Sequence, residues 1–175
     1  MDIFPQLYTT RLILRKIQIE DIDALVKYAD NKKISDRVLN IPYPYREPDA
    51  VFRISYVVQG FKNKSRFVFS IVLKETQEFI GEISLHLGQN MKIAQMGYWV
   101  GEPFWNKGVA TEAIEAVLNF GFQKLNLEQV FATCHEDNQG SIKALLKNGM
   151  VVVDDSGSII QVALEREAWE KRRSV

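Results

Sequence analysis

The residues Trp105-Asn106-Lys107-Gly108-Val109-Ala110-Thr111-Glu112-Ala113 run a small-residue turn straight into a helix-forming stretch. The first amides of a helix have no intrahelical partner, and they point out of its N-terminus beside the positive end of its dipole. An anion is the natural partner of such a place. Gly108 and Ala110 leave room for a diphosphate to approach the main chain, and Lys107 adds one mobile positive charge. The competing reading is a plain turn at Gly108 with a solvated lysine beside it. Other phosphate-binding patterns are missing: no Gly-Lys-Ser/Thr occurs, and no Gly-x-Gly-x-x-Gly follows an early strand.

Metal chemistry has little to stand on. His86 and His135 are the two histidines and lie far apart, while Cys134 is the single cysteine. That excludes an internal disulfide framework and a cysteine-clustered metal site, so no metal is expected. Cys134 and His135 end a strand and read as packing residues. The Lys171-Arg172-Arg173 run reads as a solvated helix end.

Such a turn needs a scaffold, and the chain is long enough to supply one. Its 175 residues, 46% hydrophobic, are expected to form a single domain over residues 1–175. Lys plus Arg equals Asp plus Glu at 22 each, which argues against affinity for nucleic acid through blanket phosphate neutralisation. No apolar run approaches the ~20 residues needed to cross a bilayer. Met1-Asp2-Ile3-Phe4-Pro5 carries no basic leader followed by an apolar core. The expected compartment is therefore the cytoplasm.

Periodicity places the elements. Thr10–Arg15 alternates as a half-buried strand does, and Glu20–Ala29 has the apolar positions 22, 25, 26 and 29 of an amphipathic helix. Ile41–Arg46 must be extended around its two prolines, before a helix over roughly 47–63 with Pro48 in its first turn. Arg66–Lys74, Phe79–Leu87 and Met91–Val100 read as an antiparallel meander. Ala110, Ala113, Ile114, Val117, Leu118 and Gly121 then set a helical period from near Gly108. A strand at Glu128–Cys134 and a helix at Ser141–Asn148 follow, the latter stopped by Gly149. Val151–Val153 and Ser158–Leu164 form a hairpin, and Glu165–Arg173 a terminal helix. The order implies a mixed α/β sandwich rather than alternating βαβ units.

Taken together, these motifs resemble the GNAT superfamily of acetyl-CoA-dependent N-acetyltransferases, and within it the Rim-type ribosomal-protein N-terminal acetyltransferases. The resemblance spans nearly the whole chain. It rests on Trp-x-x-Gly-x-Ala-Thr-Glu-Ala after Gly97-Tyr98-Trp99, and on Thr10–Arg15, Pro42–Tyr45, Asn138–Ser141, Leu145–Met150 and Arg166–Trp169. It implies an α+β GNAT fold whose central, mostly antiparallel sheet splays between two middle strands, with helices on both faces. The pantetheine arm of coenzyme A would enter where the strand ending at Tyr98-Trp99-Val100 leaves the strand at Val130–Cys134, adding itself to a free strand edge. The diphosphate would sit on the amides of Asn106, Lys107, Gly108, Val109, Ala110 and Thr111. Asn138 would bond the pantetheine amides, Ser141 would lie near the sulfur, and an amide near Val100 would polarise the acetyl carbonyl.

The resemblance has gaps. Many relatives carry Glu and Tyr where this chain has Thr133 and Leu145, neither of which can move a proton, and Gln95 replaces a frequent Glu. Ser141 remains as a proton donor to the leaving thiolate, or else as a helix-start hydroxyl. Glu82, or Glu136, would take the amine's proton through water; otherwise Glu82 is a solvated or capping carboxylate. Tyr43, Tyr45, Phe52 and Tyr56 wall an acceptor pocket or serve ordinary packing. An α-amine, at a pKa of roughly 7.7–8.0, is partly neutral at cellular pH, whereas lysine at about 10.4 is not. A site without an obvious base therefore suits an N-terminal amine. The expected activity is acetyl transfer from acetyl-CoA to a primary amine in a ternary complex, by a monomer or homodimer. The alternative is a non-catalytic acyl-CoA-binding module.

Overall fold

The computed structural model describes residues 3–174. Met1, Asp2 and Val175 lie outside it, and with them the start of the Met1–Pro5 segment read above. Strands β1 (Leu7–Tyr8) and β2 (Leu12–Arg15) open the chain. A short 3-10 turn, Ile19–Asp21, leads into α1 (Ile22–Ala29), so the expected helix starts two residues late. Asp21 causes this. Its buried carboxylate accepts the Gln18 amide at 2.9 Å and both Arg15 Nη atoms at 2.8 Å, which tightens the entry.

Helix α2 (Lys32–Ser35) was not foreseen; the Asn31 side chain caps it by accepting the Lys33 amide. Helix α3 (Glu47–Lys62) begins as the sequence indicates, with the Asp49 carboxylate accepting the Arg46 amide at 2.8 Å. The meander follows as β3 (Arg66–Leu73), β4 (Phe79–Leu87) and β5 (Ile93–Val100). Strand β5 starts later than expected because Met91 has a positive φ of 57° and closes the turn onto the Gly88 carbonyl.

Helix α4 (Val109–Gln123) crosses back, β6 (Gln129–His135) runs parallel to β5, and α5 (Gln139–Lys147) returns beside α4. The chain ends with β7 (Val151–Asp154), β8 (Ile159–Glu165) and α6 (Arg166–Arg173). One eight-stranded sheet results, in the order β1-β2-β3-β4-β5-β6-β8-β7, antiparallel everywhere except at β5–β6. Two apolar clusters hold it. Helices α4 and α5 bury Ile114, Val117, Leu145 and their neighbours against one face, while α1 to α3 cover the other around Leu25, Tyr45, Val57 and Trp99. This is the mixed fold with helices on both faces that the resemblance implied.

Candidate active site

The two middle strands separate at one place. Their pairing runs from Ile93 opposite Gln129 to Met96 opposite Ala132 and then stops, although each strand continues for several residues. The Gly101 amide bonds the Ile80 carbonyl at 2.7 Å on the β4 side. Alternation along the strand therefore turns the Val100 amide and carbonyl toward the opening. Trp105 Nε1 donates to that Val100 carbonyl at 2.6 Å, and the amide is left facing the gap.

A cavity of about 490 Å³ lies at this opening, with a smaller one of about 70 Å³ beside it. Arg37, Val38, Tyr98, Asn138 and Ser141 border both, so the two are stages of one passage. At one end of the larger cavity is the start of α4. Gly108 caps that helix at a φ of 75° with no side chain bonded to the first amides, and Asn106 also has a positive φ, of 58°. Left-handed residues next to uncapped helical amides form a concave nest of donors, an anion site.

The surrounding charge agrees. Lys33, Arg37, Lys143 and Lys147 border the larger cavity against one acid, Asp137. Lys33 pairs with Glu102, and Arg37 with Asp137 at 3.3 Å. Lys143 and Lys147 take part in no ion pair among the described residues. A chain with no net charge thus presents a net positive lining at this mouth.

Asn138 is the N-cap of α5, its Oδ1 accepting the Ser141 amide at 3.3 Å. Its amide nitrogen is left to serve another acceptor. Ser141 is not a capping hydroxyl. Its Oγ lies 2.5 Å from the Tyr98 hydroxyl, which also reaches the Ser141 carbonyl at 3.3 Å. Burial is the main reason the Tyr98 phenol is pushed up to about 12; its hydrogen bond with Ser141 offsets part of that push, and Cys134 adds a smaller one.

Most of the expected residues meet here. Trp99, Val100, Asn106, Gly108, Val109, Ala110, Thr111, Asn138 and Ser141 all border the larger cavity. Trp99 does so with its indole turned to the far side of the sheet, where Nε1 donates to Glu82 at 2.9 Å. Lys107, Glu82, Glu136 and the aromatic residues Tyr43, Tyr45, Phe52 and Tyr56 do not border it. The Lys107 ammonium lies over the Phe104 ring, and its carbonyl accepts from Arg11 at 2.8 Å. Glu82 is neither solvated nor capping: it is 2% exposed, and it accepts from Arg53 Nη2 at 2.9 Å as well as from Trp99. Burial pulls the Arg53 guanidinium down, and the Glu82 charge and hydrogen bonds more than restore it. Sequence reasoning missed Arg11, Arg37 and Tyr98. Tyr98 sat inside a quoted motif, but which of Tyr98 and Trp99 faces the gap depends on sheet register.

A model of the acetyltransferase (GNAT) domain family matches residues 11–151. The chain belongs to the GNAT family. It is an acetyl-CoA-dependent N-acetyltransferase. The acetyltransferase is 34% identical over 143 residues to the uncharacterized N-acetyltransferase p20 of Bacillus licheniformis, covering 79% of this chain and 78% of that protein. It is 28% identical over 101 residues to the ribosomal-protein-serine acetyltransferase of Escherichia coli K12, across 57% of this chain and 54% of the other. Among solved structures, Mycobacterium smegmatis RimJ in complex with CoA-disulfide matches the acetyltransferase with a TM-score of 0.82 at 19% identity. That match covers 97% of this chain and 94% of the other. The uncapped α4 amides, the positive mouth and the open edge of β5 suit the diphosphate and pantetheine of coenzyme A.

Proposed function

We propose that the acetyltransferase acetylates an α-amine, such as a peptide N-terminus, by direct attack on acetyl-CoA in a ternary complex. The observation that carries this reading is the makeup of the passage between β5 and β6. Among the described residues bordering the smaller cavity there is no carboxylate, and the larger has only Asp137, paired with Arg37; the His135 imidazole borders the smaller cavity with its Nδ1 3.4 Å from that same Asp137. An acceptor that enters already neutral needs no resident base, and at pH 7 an α-amine meets that condition far more often than a lysine side chain. Proximity then supplies most of the rate.

In this reading the diphosphate rests on the main chain from Asn106 to Thr111, and the Asn138 side-chain nitrogen bonds a pantetheine carbonyl. The Val100 amide donates to the acetyl oxygen as charge develops on it. The amine forms its bond to the thioester carbon, the carbon–sulfur bond breaks, and Ser141 donates toward the departing sulfur. The proton lost by the amine passes to water. Glu82, committed to Arg53 and Trp99, secures β5 instead of receiving that proton.

An acceptor screen at pH 7 tests the reading through thiol release. Peptides with a free N-terminus should turn over, while N-terminally blocked peptides carrying lysine, polyamines and aminoglycosides should turn over far more slowly. Faster transfer to lysine or polyamine would overturn it. Thermal stabilisation by acetyl-CoA without thiol release from any amine would overturn transfer itself.

A further inference from the structure

We infer that Tyr98 is a positioning residue for acetyl transfer, fixing the Ser141 hydroxyl so that its hydrogen points at the sulfur of coenzyme A. The inference rests on the reading above, in which Ser141 assists the leaving group.

The geometry begins with Ser141 itself. Its amide is taken by the Asn138 side chain, and its Oγ is within 2.5 Å of one partner, the Tyr98 hydroxyl. Two arrangements of the hydrogens satisfy that contact. Either Tyr98 donates to Ser141 and leaves the serine hydrogen free, or Ser141 donates to Tyr98 and Tyr98 turns to the Ser141 carbonyl.

Two features select the first. The hydroxyl–hydroxyl contact is 2.5 Å, whereas the route to the carbonyl is 3.3 Å, at the weak end of hydrogen bonding. A phenol is also a far better donor than an aliphatic hydroxyl, so in a short contact between the two the phenol gives its hydrogen. Burial keeps Tyr98 protonated across the pH range of acetyl transfer, so the donation does not switch off. With one lone pair of its oxygen engaged, Ser141 has its hydrogen and remaining lone pair directed away from Tyr98. Both residues border both cavities, and in the inferred arrangement that free hydrogen turns into the passage.

The consequence is chemical. As the carbon–sulfur bond breaks, its electron pair leaves on sulfur, and a preset O–H donor meets that charge without reorganising. The thiolate then takes up a proton from water, balancing the one the amine released. A serine free to rotate would spend much of its time donating elsewhere.

The test is a double-mutant cycle of Tyr98→Phe and Ser141→Ala, with acetyl-CoA and the best peptide acceptor. Ser141→Ala should lower kcat on the order of 10²-fold, and Tyr98→Phe roughly tenfold. The double variant should be no slower than Ser141→Ala, because Tyr98 acts only through Ser141. KM for acetyl-CoA and the thermal shift given by coenzyme A should stay at wild-type values in Tyr98→Phe, which keeps the ring and its packing. An unchanged kcat, losses that multiply in the double variant, or an effect confined to KM would each overturn the inference. Those results differ from failure of the proposed function, which shows as a wild-type protein that releases no thiol or prefers lysine.

Discussion

Arg11 and Glu112, 101 positions apart in the chain, are locked together behind the Gly108 turn. The Arg11 amide and its Nε reach the two Glu112 carboxylate oxygens at 2.7 Å each, and the Thr9 hydroxyl adds a third bond at 2.5 Å. The same guanidinium donates to the Lys107 carbonyl at 2.8 Å. The turn between β1 and β2 thereby holds both the last residues before α4 and its first turn. A nest of amides is useful to an anion only while its shape is fixed, and this contact fixes it from outside the cavity.

Glu112 makes that lock sensitive to acid. Burial pushes its carboxyl up, but the bonds from Thr9 and Arg11 outweigh this and hold it below the ordinary carboxylate range. A carboxyl depressed in the folded state stabilises the protein above its unfolded value, about 4.3. That stability is lost as pH falls through the folded value. Between those two values the thermal midpoint of the wild type should drop more steeply than that of Glu112→Gln. Parallel curves for the two proteins would show that the lock contributes nothing to folding.

Gly108 separates binding from folding. Its φ of 75° suits glycine, and a Cβ built there would meet Arg11 Nη2 at 3.4 Å, an ordinary contact. Gly108→Ala should therefore fold with a loss of about 1 kcal/mol and keep measurable affinity for coenzyme A. Gly108→Asp puts a carboxylate where the diphosphate is proposed to rest, and coenzyme A affinity should fall by at least 10² while the circular dichroism stays native. Calorimetric titration gives both values. Wild-type affinity in Gly108→Asp would remove the diphosphate from this turn.

Glu82 and Arg53 set a contrasting experiment. Their pair is buried, with side chains 3% and 15% exposed, and Trp99 adds its indole to the same carboxylate. Glu82→Gln leaves a buried guanidinium without its counter-charge and should cost about 3 kcal/mol in urea unfolding. Its kcat, measured well below the lowered melting temperature, should remain within a few-fold of wild type. A loss of 10² or more with the fold intact would return Glu82 to proton transfer.

Much of this could be read from the chain because each element's local chemistry agrees with its tertiary role. The α4 period, the Gly108 turn and the Asn138–Ser141 helix start are local features, and they lie where their residue types indicate. The missed pieces depend mostly on contacts distant in the sequence. Helix α2 has a local asparagine cap but is docked by burying Ile34 in the second apolar cluster, and Lys33 and Arg37 pair across to Glu102 and Asp137 at the cavity. Arg11 reads locally as a strand residue, and nothing near it in the chain announces Glu112 or Lys107. Glu82 looked solvated because strand alternation gives a face but not what covers it; α3 supplies Arg53 from above. Tyr98 and Trp99 exchange roles with a one-residue change of register, and that register is set by pairing with β4.

Trp105 offers a test of the opening itself. Its indole nitrogen holds the Val100 carbonyl at 2.6 Å, just where β5 has left β6 and no strand supplies a partner. The Val100 carbonyl and amide belong to successive peptide units, so anchoring the first restricts the dihedrals that aim the second. Trp105→Phe keeps an aromatic ring but frees the carbonyl. Losing one such bond costs about 0.5–1.5 kcal/mol, a small fall in melting temperature. The effect on transfer should be larger than that, because in the proposed mechanism the Val100 amide meets the acetyl oxygen at the moment it gains charge. kcat should fall roughly tenfold or more, with KM for acetyl-CoA changed less than kcat. A variant as fast as wild type would show that the Val100 amide keeps its aim unaided, or that another donor receives the oxyanion.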